Sequence, residues 1–360
     1  MKMFADASLL QLHGIDTSDA AWQQAQLSLS RGGLGLRSLS HHASAAFIAS
    51  LSSSGSASDS SHHLSDAVGI FNNLVPVEDS LRVEDLLSSA IPQSKLSQKL
   101  DNHLLSSLME ASTIANRARL LSVSSPHAAS WLSMPPCERQ GLHLDPSQFQ
   151  VATKWWLGLD TSGGTQCAMC PEKSLDPLGH HATTCKRGGE VVFRHNRLRD
   201  IVAETCRRAH LSIHLEVGQN LSPDHSNTRP ADILVPHWCM GKPAALDLSV
   251  TSPLNPLTLL EAGVTAGAAA KATEERKLKA SVAKCADLGW VCVPVVAESY
   301  GAWGLAAMDF FSKLASRLAT SLGKPKSVVL HELYGRLNMH IVRANATAML
   351  SRSVPPPELQ

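Results

Sequence analysis

Arg229-Pro230-Ala231-Asp232-Ile233-Leu234-Val235 and Ala244-Ala245-Leu246-Asp247-Leu248-Ser249-Val250 are two apolar runs, close together in the chain, that carry one acid each. Asp is depleted in strands and costly to bury unpaired, so two of them in neighbouring β-like runs require an explanation. A hairpin through residues 238–242 pairs the runs, and adjacent strands, about 4.8 Å apart, can aim two carboxylates at one cation. Hard oxygen ligands of this kind suit Mg²⁺ or Mn²⁺, and such an ion can activate water and steady the charge of a phosphodiester transition state. Glu216, at the end of the preceding run, is a candidate third ligand. The helical stretch after Asp247 offers Lys271, Lys277 and Lys279, any of which can supply the charge beside the phosphate. The plainer reading makes Asp232 a turn cap and Asp247 a solvent-facing strand residue.

Outward from these runs, β-like segments are expected at 211–217, 231–236, 244–251 and 290–297. A helix at 190–209 precedes them, with Val191, Leu198, Ile201 and Val202 on one face. An Ala-rich helical stretch over 257–287 precedes the last strand. The order α-β-β-β-α-β describes a small α/β unit. Six segments are expected: helices over 1–51, a Ser-rich linker at 52–65, a helical region at 66–160, a Cys cluster at 161–189, a mixed-sheet domain at 190–303 and a helical tail at 304–360. The fold class is therefore α/β, α+β overall. Gly33-Leu34-Gly35 reads as a turn between helices and not as a dinucleotide loop, since no strand precedes it.

Of the 8 cysteines, Cys167, Cys170 and Cys185 cluster, and His180 completes C-x2-C-x9-H-x4-C. A C-x2-C turn supplies two thiolates, and four N/S ligands close a structural zinc site. His181 is the competing ligand, because spacing does not choose between adjacent histidines; free thiols beside two surface histidines are the bland reading.

The chain has 360 residues, with 32 Lys+Arg against 31 Asp+Glu, so its formal charge is only +1. That excludes a wholly polycationic surface and leaves nucleic-acid contact to a local patch. The helix at 190–209, with the residues just before it, offers one: Arg187, Arg194, His195 and Arg197 are candidates for phosphate contact, together with Arg229. A solvated helix face is the alternative. No stretch is apolar enough to span a bilayer, no signal-like core follows Met1, and no P-loop or G-x-S-x-G elbow occurs. An intracellular protein with no membrane partner is expected.

The ordered set of Cys167-x2-Cys170, His180-x4-Cys185, Arg194-His195-Asn196, Arg229-Pro230-Ala231-Asp232 and Asp247 resembles the C-terminal region of non-LTR retrotransposon polyproteins. Trp22-Gln23-Gln24-Ala25 and Ser30-Arg31-Gly32-Gly33-Leu34-Gly35-Leu36-Arg37-Ser38 are similar to the thumb and linker of such proteins. The resemblance implies a zinc knuckle followed by a restriction-like endonuclease of the PD-(D/E)xK type. Asp232, Asp247 and Lys277 would be catalytic, with Asp232, Asp247 and Glu216 on Mg²⁺ or Mn²⁺, and Cys167, Cys170, His180 and Cys185 on Zn²⁺. It also implies DNA as substrate, nicked to prime reverse transcription, with element RNA and a separate reverse-transcriptase polypeptide as further partners, and nuclear location from a chromosomal substrate. Two departures stand out. No Y-x-D-D palm motif occurs, which points to a retroelement fragment without polymerase chemistry, and Ala231 separates Pro230 from Asp232. A catalytically inactive, zinc-containing nucleic-acid-binding remnant is the second expectation.

Overall fold

The computed structural model describes residues 8–11, 14–54, 61–215, 231–239 and 241–353. They fall into two compact units, Met1–Thr113 and Ile114–Gln360, so the helical region expected at 66–160 contributes to both.

The first unit is helical: α1 (Ser8–Gln11), α2 (Asp19–Gln26), α3 (Leu39–Ser54), α4 (Ser61–Asn72), α5 (Val83–Ser88) and α6 (Gln93–Glu110). The Ser18 hydroxyl caps α2 by accepting from the Ala21 N–H at 3.3 Å. A Cβ at Gly33 would collide with the Leu27 carbonyl, which is why the predicted turn between α2 and α3 needs glycine there. Ile48, Leu64, Phe71, Leu86 and Leu96 form the interior of this unit.

The second unit is mixed α/β. Its elements are α7 (Ile114–Val123), α8 (Pro146–Trp156), α9 (His180–Thr184), α10 (Glu190–Arg208), β1 (His214–Leu215), β2 (Ile233–Cys239), β3 (Lys242–Thr251), α11 (Leu259–Ala262), α12 (Ala268–Asp287), β4 (Val291–Glu298), α13 (Leu305–Leu322) and α14 (Lys326–Ser353). The stretch expected as one helix over 257–287 is two: Gly267, at φ 76°, opens α12 in the left-handed region after the short α11.

The sheet order is β1-β2-β3-β4, antiparallel between the first three strands and parallel between β3 and β4. A parallel pair requires a crossover, which α11 and α12 provide. Alternation along the strands decides which face each side chain takes. Ile233, Val235, Leu246, Leu248 and Val295 join the larger core with Leu198 and Val202 of α10 and Phe310 and Leu314 of α13. Leu234 and Ala245 face the other way, against Cys285 of α12. Asp247, between Leu246 and Leu248, therefore shares the α12 face. The 28-residue α14 packs on α8, α9, α10 and α13 and is the spine of the unit.

Candidate functional site

The two acids come together at the open end of the β2–β3 ladder. Ile233 pairs with Leu246. One residue earlier, the Asp232 N–H donates to the Leu246 carbonyl at 2.9 Å, and Asp232 Oδ2 accepts the Leu248 N–H at 2.7 Å. Asp232 thus grips the residues on either side of Asp247. Lys277, on α12, donates from Nζ to Asp247 Oδ1 at 2.5 Å and to the Leu248 carbonyl at 3.3 Å. The Leu248 peptide is shared: its N–H serves one acid and its carbonyl the lysine that holds the other. Their side chains keep 24% and 27% of their surface exposed, so both remain reachable from solvent.

His195, on α10, places Nε2 3.2 Å from Asp232 Oδ2. That hydrogen bond, against the opposing effect of burial, raises the His195 pKa above its usual value. Burial on its own would push Asp232 up; the His195 hydrogen bond and charge, the Leu248 N–H and the nearby Lys277 charge outweigh it and hold the carboxyl below the ordinary range. Among the described residues, each carboxylate has one oxygen engaged and one without a hydrogen bond. Carboxylate oxygens are hard ligands, the kind that divalent cations such as Mg²⁺ take.

The second constellation is a Cys₃His cluster. Cys167, Cys170, His181 and Cys185 each offer one ligand atom, all within 4.8 Å of one another, and such a cluster can hold a metal such as zinc. Cys170 Sγ lies 3.1 Å from His181 Nε2 and 3.6 Å from Cys185 Sγ. Burial, with the neighbouring thiols Cys167 and Cys185, pushes the Cys170 thiol up to about 12, and a bound cation would reverse that by stabilising thiolates. The Asp176 carboxylate accepts the His180 and His181 N–H groups at 2.9 and 2.7 Å, fixing the start of α9. Consecutive helical residues point about 100° apart, so only one of the two can face the thiols. It is His181. His180, the ligand expected from sequence, instead bonds through Nδ1 to Ser252 Oγ at 2.9 Å.

The other candidates scatter. Lys271 pairs weakly with Glu275 at 3.9 Å, and Lys279 is exposed, so of the three lysines Lys277 alone reaches the acids. Glu216 and Arg229 lie outside the described residues. Arg187 is exposed and pairs with Glu172 at 3.0 Å. Arg197 is exposed, but Arg194 is buried and bonded to Asn345 Oδ1 of α14, which corrects its assignment to an outward basic face. His195 is likewise at the acids and not on an outer strip. Its position three residues before Leu198 and seven before Val202, on the stripe that faces the sheet, was the readable signal. Arg352 carried none. From the end of α14 it donates to the Cys185 and Arg187 carbonyls and to Glu190 Oε2, at 3.4, 2.6 and 2.7 Å, tying the Cys cluster to α10.

No family model matches the chain, and no curated protein matches it.

Proposed function

We propose that the chain is a metal-dependent DNA endonuclease derived from a non-LTR retrotransposon, with Asp232, Asp247 and Lys277 as its catalytic residues and a structural zinc at Cys167, Cys170, His181 and Cys185. The observation that carries this reading is the Leu248 peptide, whose two polar groups gather Asp232 and Lys277 around Asp247. The order of the zinc knuckle, the acids and the lysine along the chain supports the retroelement origin.

Asp232 and Asp247 would hold a Mg²⁺ or Mn²⁺ ion, which when bound supplies a Lewis acid and an activated water. Lys277, on the rim of the acid pair, bears on the charge that develops at a phosphodiester in the transition state. His195 fixes the rotamer of Asp232 and leaves its second oxygen for the cation. Hydrolysis would leave a 3′-hydroxyl on DNA. A chromosomal substrate implies an intracellular, nuclear site of action, with element RNA and a separate reverse-transcriptase polypeptide as partners.

The test is nicking of supercoiled DNA in the presence of Mg²⁺. Wild-type protein should convert it to the open circle, and Asp247→Ala and Lys277→Met should lose that activity while remaining folded by circular dichroism. Undiminished nicking by Asp247→Ala would remove the assignment. The second reading, a non-catalytic nucleic-acid-binding remnant, is favoured by the fact that each acid already has a cationic partner, His195 or Lys277. It requires that wild-type protein bind DNA without nicking it.

A further inference from the structure

Away from the acids, α10 and α14 enclose a cavity of about 210 Å³ lined by Glu190, Phe193, Arg194, Arg197, His340 and Arg343. A single water needs only about 10–15 Å³ by the same measure, so the space admits a polyatomic ion. Its charge is unbalanced. Three guanidinium groups meet one acid, Glu190, and that acid is already bound by Arg352 at 2.7 Å. Arg194 is 5% exposed, and its Nε has no hydrogen-bond partner among the described residues; the buried Nε of Arg343 has none either. Both side chains line the cavity while also donating inside the fold, Arg194 to Asn345 Oδ1 and Arg343 to the Gly141 carbonyl, so the cavity has a cationic wall. Arg197 has no ion-pair partner among the described residues.

The cavity is not closed. Arg197 and His340 also line a second, larger hollow of about 880 Å³ that continues past Arg139, Arg208 and Arg336. The acids of that hollow are occupied: Glu204 pairs with Arg336 at 2.8 Å, Glu332 with Lys324 at 3.0 Å, and Asp200 with Arg199 at 2.9 Å. The net character of the trough is cationic, and burial with the charges of Arg343, Arg197 and Arg336 depresses His340 to about 4. Phe193, which lines the smaller cavity, stands 62% exposed on α10. An exposed aromatic ring beside guanidinium groups is the arrangement that stacks a nucleobase while its phosphate is held.

We propose that the α10–α14 cavity is a phosphate pocket for single-stranded nucleic acid: Arg194, Arg197 and Arg343 hold one backbone phosphate, Phe193 stacks the adjoining base, and the trough carries the strand onward. The chemistry recognised is the phosphate group; continuity of the trough and the exposed ring assign it to a strand in preference to free phosphate. The proposal rests on the nucleic-acid reading above but not on cleavage.

Fluorescence anisotropy of the full chain with a short labelled single-stranded oligonucleotide tests it. Arg197→Gln, at an exposed and unpaired position, should weaken binding and lower the slope of log K against log salt by about one. Phe193→Ala should weaken single-strand binding about fivefold or more, with duplex binding unchanged. Lys271→Gln, on α12, should bind as wild type does. Inorganic phosphate should compete with the strand, and weakly. Wild-type affinity in both Arg197→Gln and Phe193→Ala would overturn the proposal, as would tight, Arg197-dependent binding of inorganic phosphate without binding of the strand. Asp247→Ala separates the two claims: binding that survives in it, with no nicking even by wild type, sinks the nuclease and leaves the pocket standing.

Discussion

At the scale of single residues, the choice between two adjacent histidines is the clearest case of a question that spacing leaves open and local geometry answers. The Asp176 cap fixes the turn, and helical phase turns His181 toward the thiols and His180 toward Ser252. Protein purified with zinc should therefore keep about one equivalent after His180→Ala and lose most of it after His181→Ala, as read by elemental analysis. His340 makes a second residue-scale prediction. Burial and three arginines lower its pKa from 6.5 to about 4, so between those values the unfolded chain binds the proton that the folded chain refuses. Stability from this group is complete above pH 6.5 and drains as pH falls toward 4, by on the order of 3 kcal/mol at most. Urea denaturation should show that loss in wild type and a flatter profile in His340→Gln.

At the scale of elements, the last turn of α14 is attached to the start of α10 by one buried cation. Arg352 is fully buried and its only acidic partner among the described residues is Glu190. Glu190→Gln should cost about 2–3 kcal/mol, because it leaves a buried charge with only carbonyls, the Ser351 hydroxyl and a neutral amide for company; chemical denaturation measures it. The strands themselves were largely legible. Segments expected at 231–236, 244–251 and 290–297 are Ile233–Cys239, Lys242–Thr251 and Val291–Glu298. Alternating apolar residues and β-branching mark such segments from within. The two acids stood out because Asp is out of place in an apolar strand, whereas spacing left three lysines of α12 open and only the fold shows that Lys277 meets Asp247. What could not be read depends on contacts between distant parts of the chain. Arg194 looked like part of a solvated basic strip until α14 covered it, and the Arg352–Glu190 pair joins residues 162 positions apart. The glycines that split the 257–287 helix, Gly263 after α11 and Gly267 before α12, were visible, but glycine in an Ala-rich stretch lowers helix propensity without deciding where the break falls.

At the scale of the whole molecule, the two units differ in what they hold. All the chemistry described above, the acid pair, the Cys₃His cluster and the arginine cavity, belongs to Ile114–Gln360, which has its own core of Leu198, Leu246, Phe310, Phe311, Leu333 and Leu337. Expressed alone, that segment should fold and retain zinc, whereas a core truncation such as Phe311→Ala should lower its stability by about 3–5 kcal/mol. Among the described residues no helix is long and apolar enough to cross a membrane. Finally, the amide of Leu248 is bound by a carboxylate and not by a neighbouring strand. Its proton resonance in a nitrogen-correlated spectrum is for that reason a built-in gauge of what Asp232 is doing. A titration with magnesium, or the replacement of His195, would register there as a shift in one peak, without any substrate being turned over.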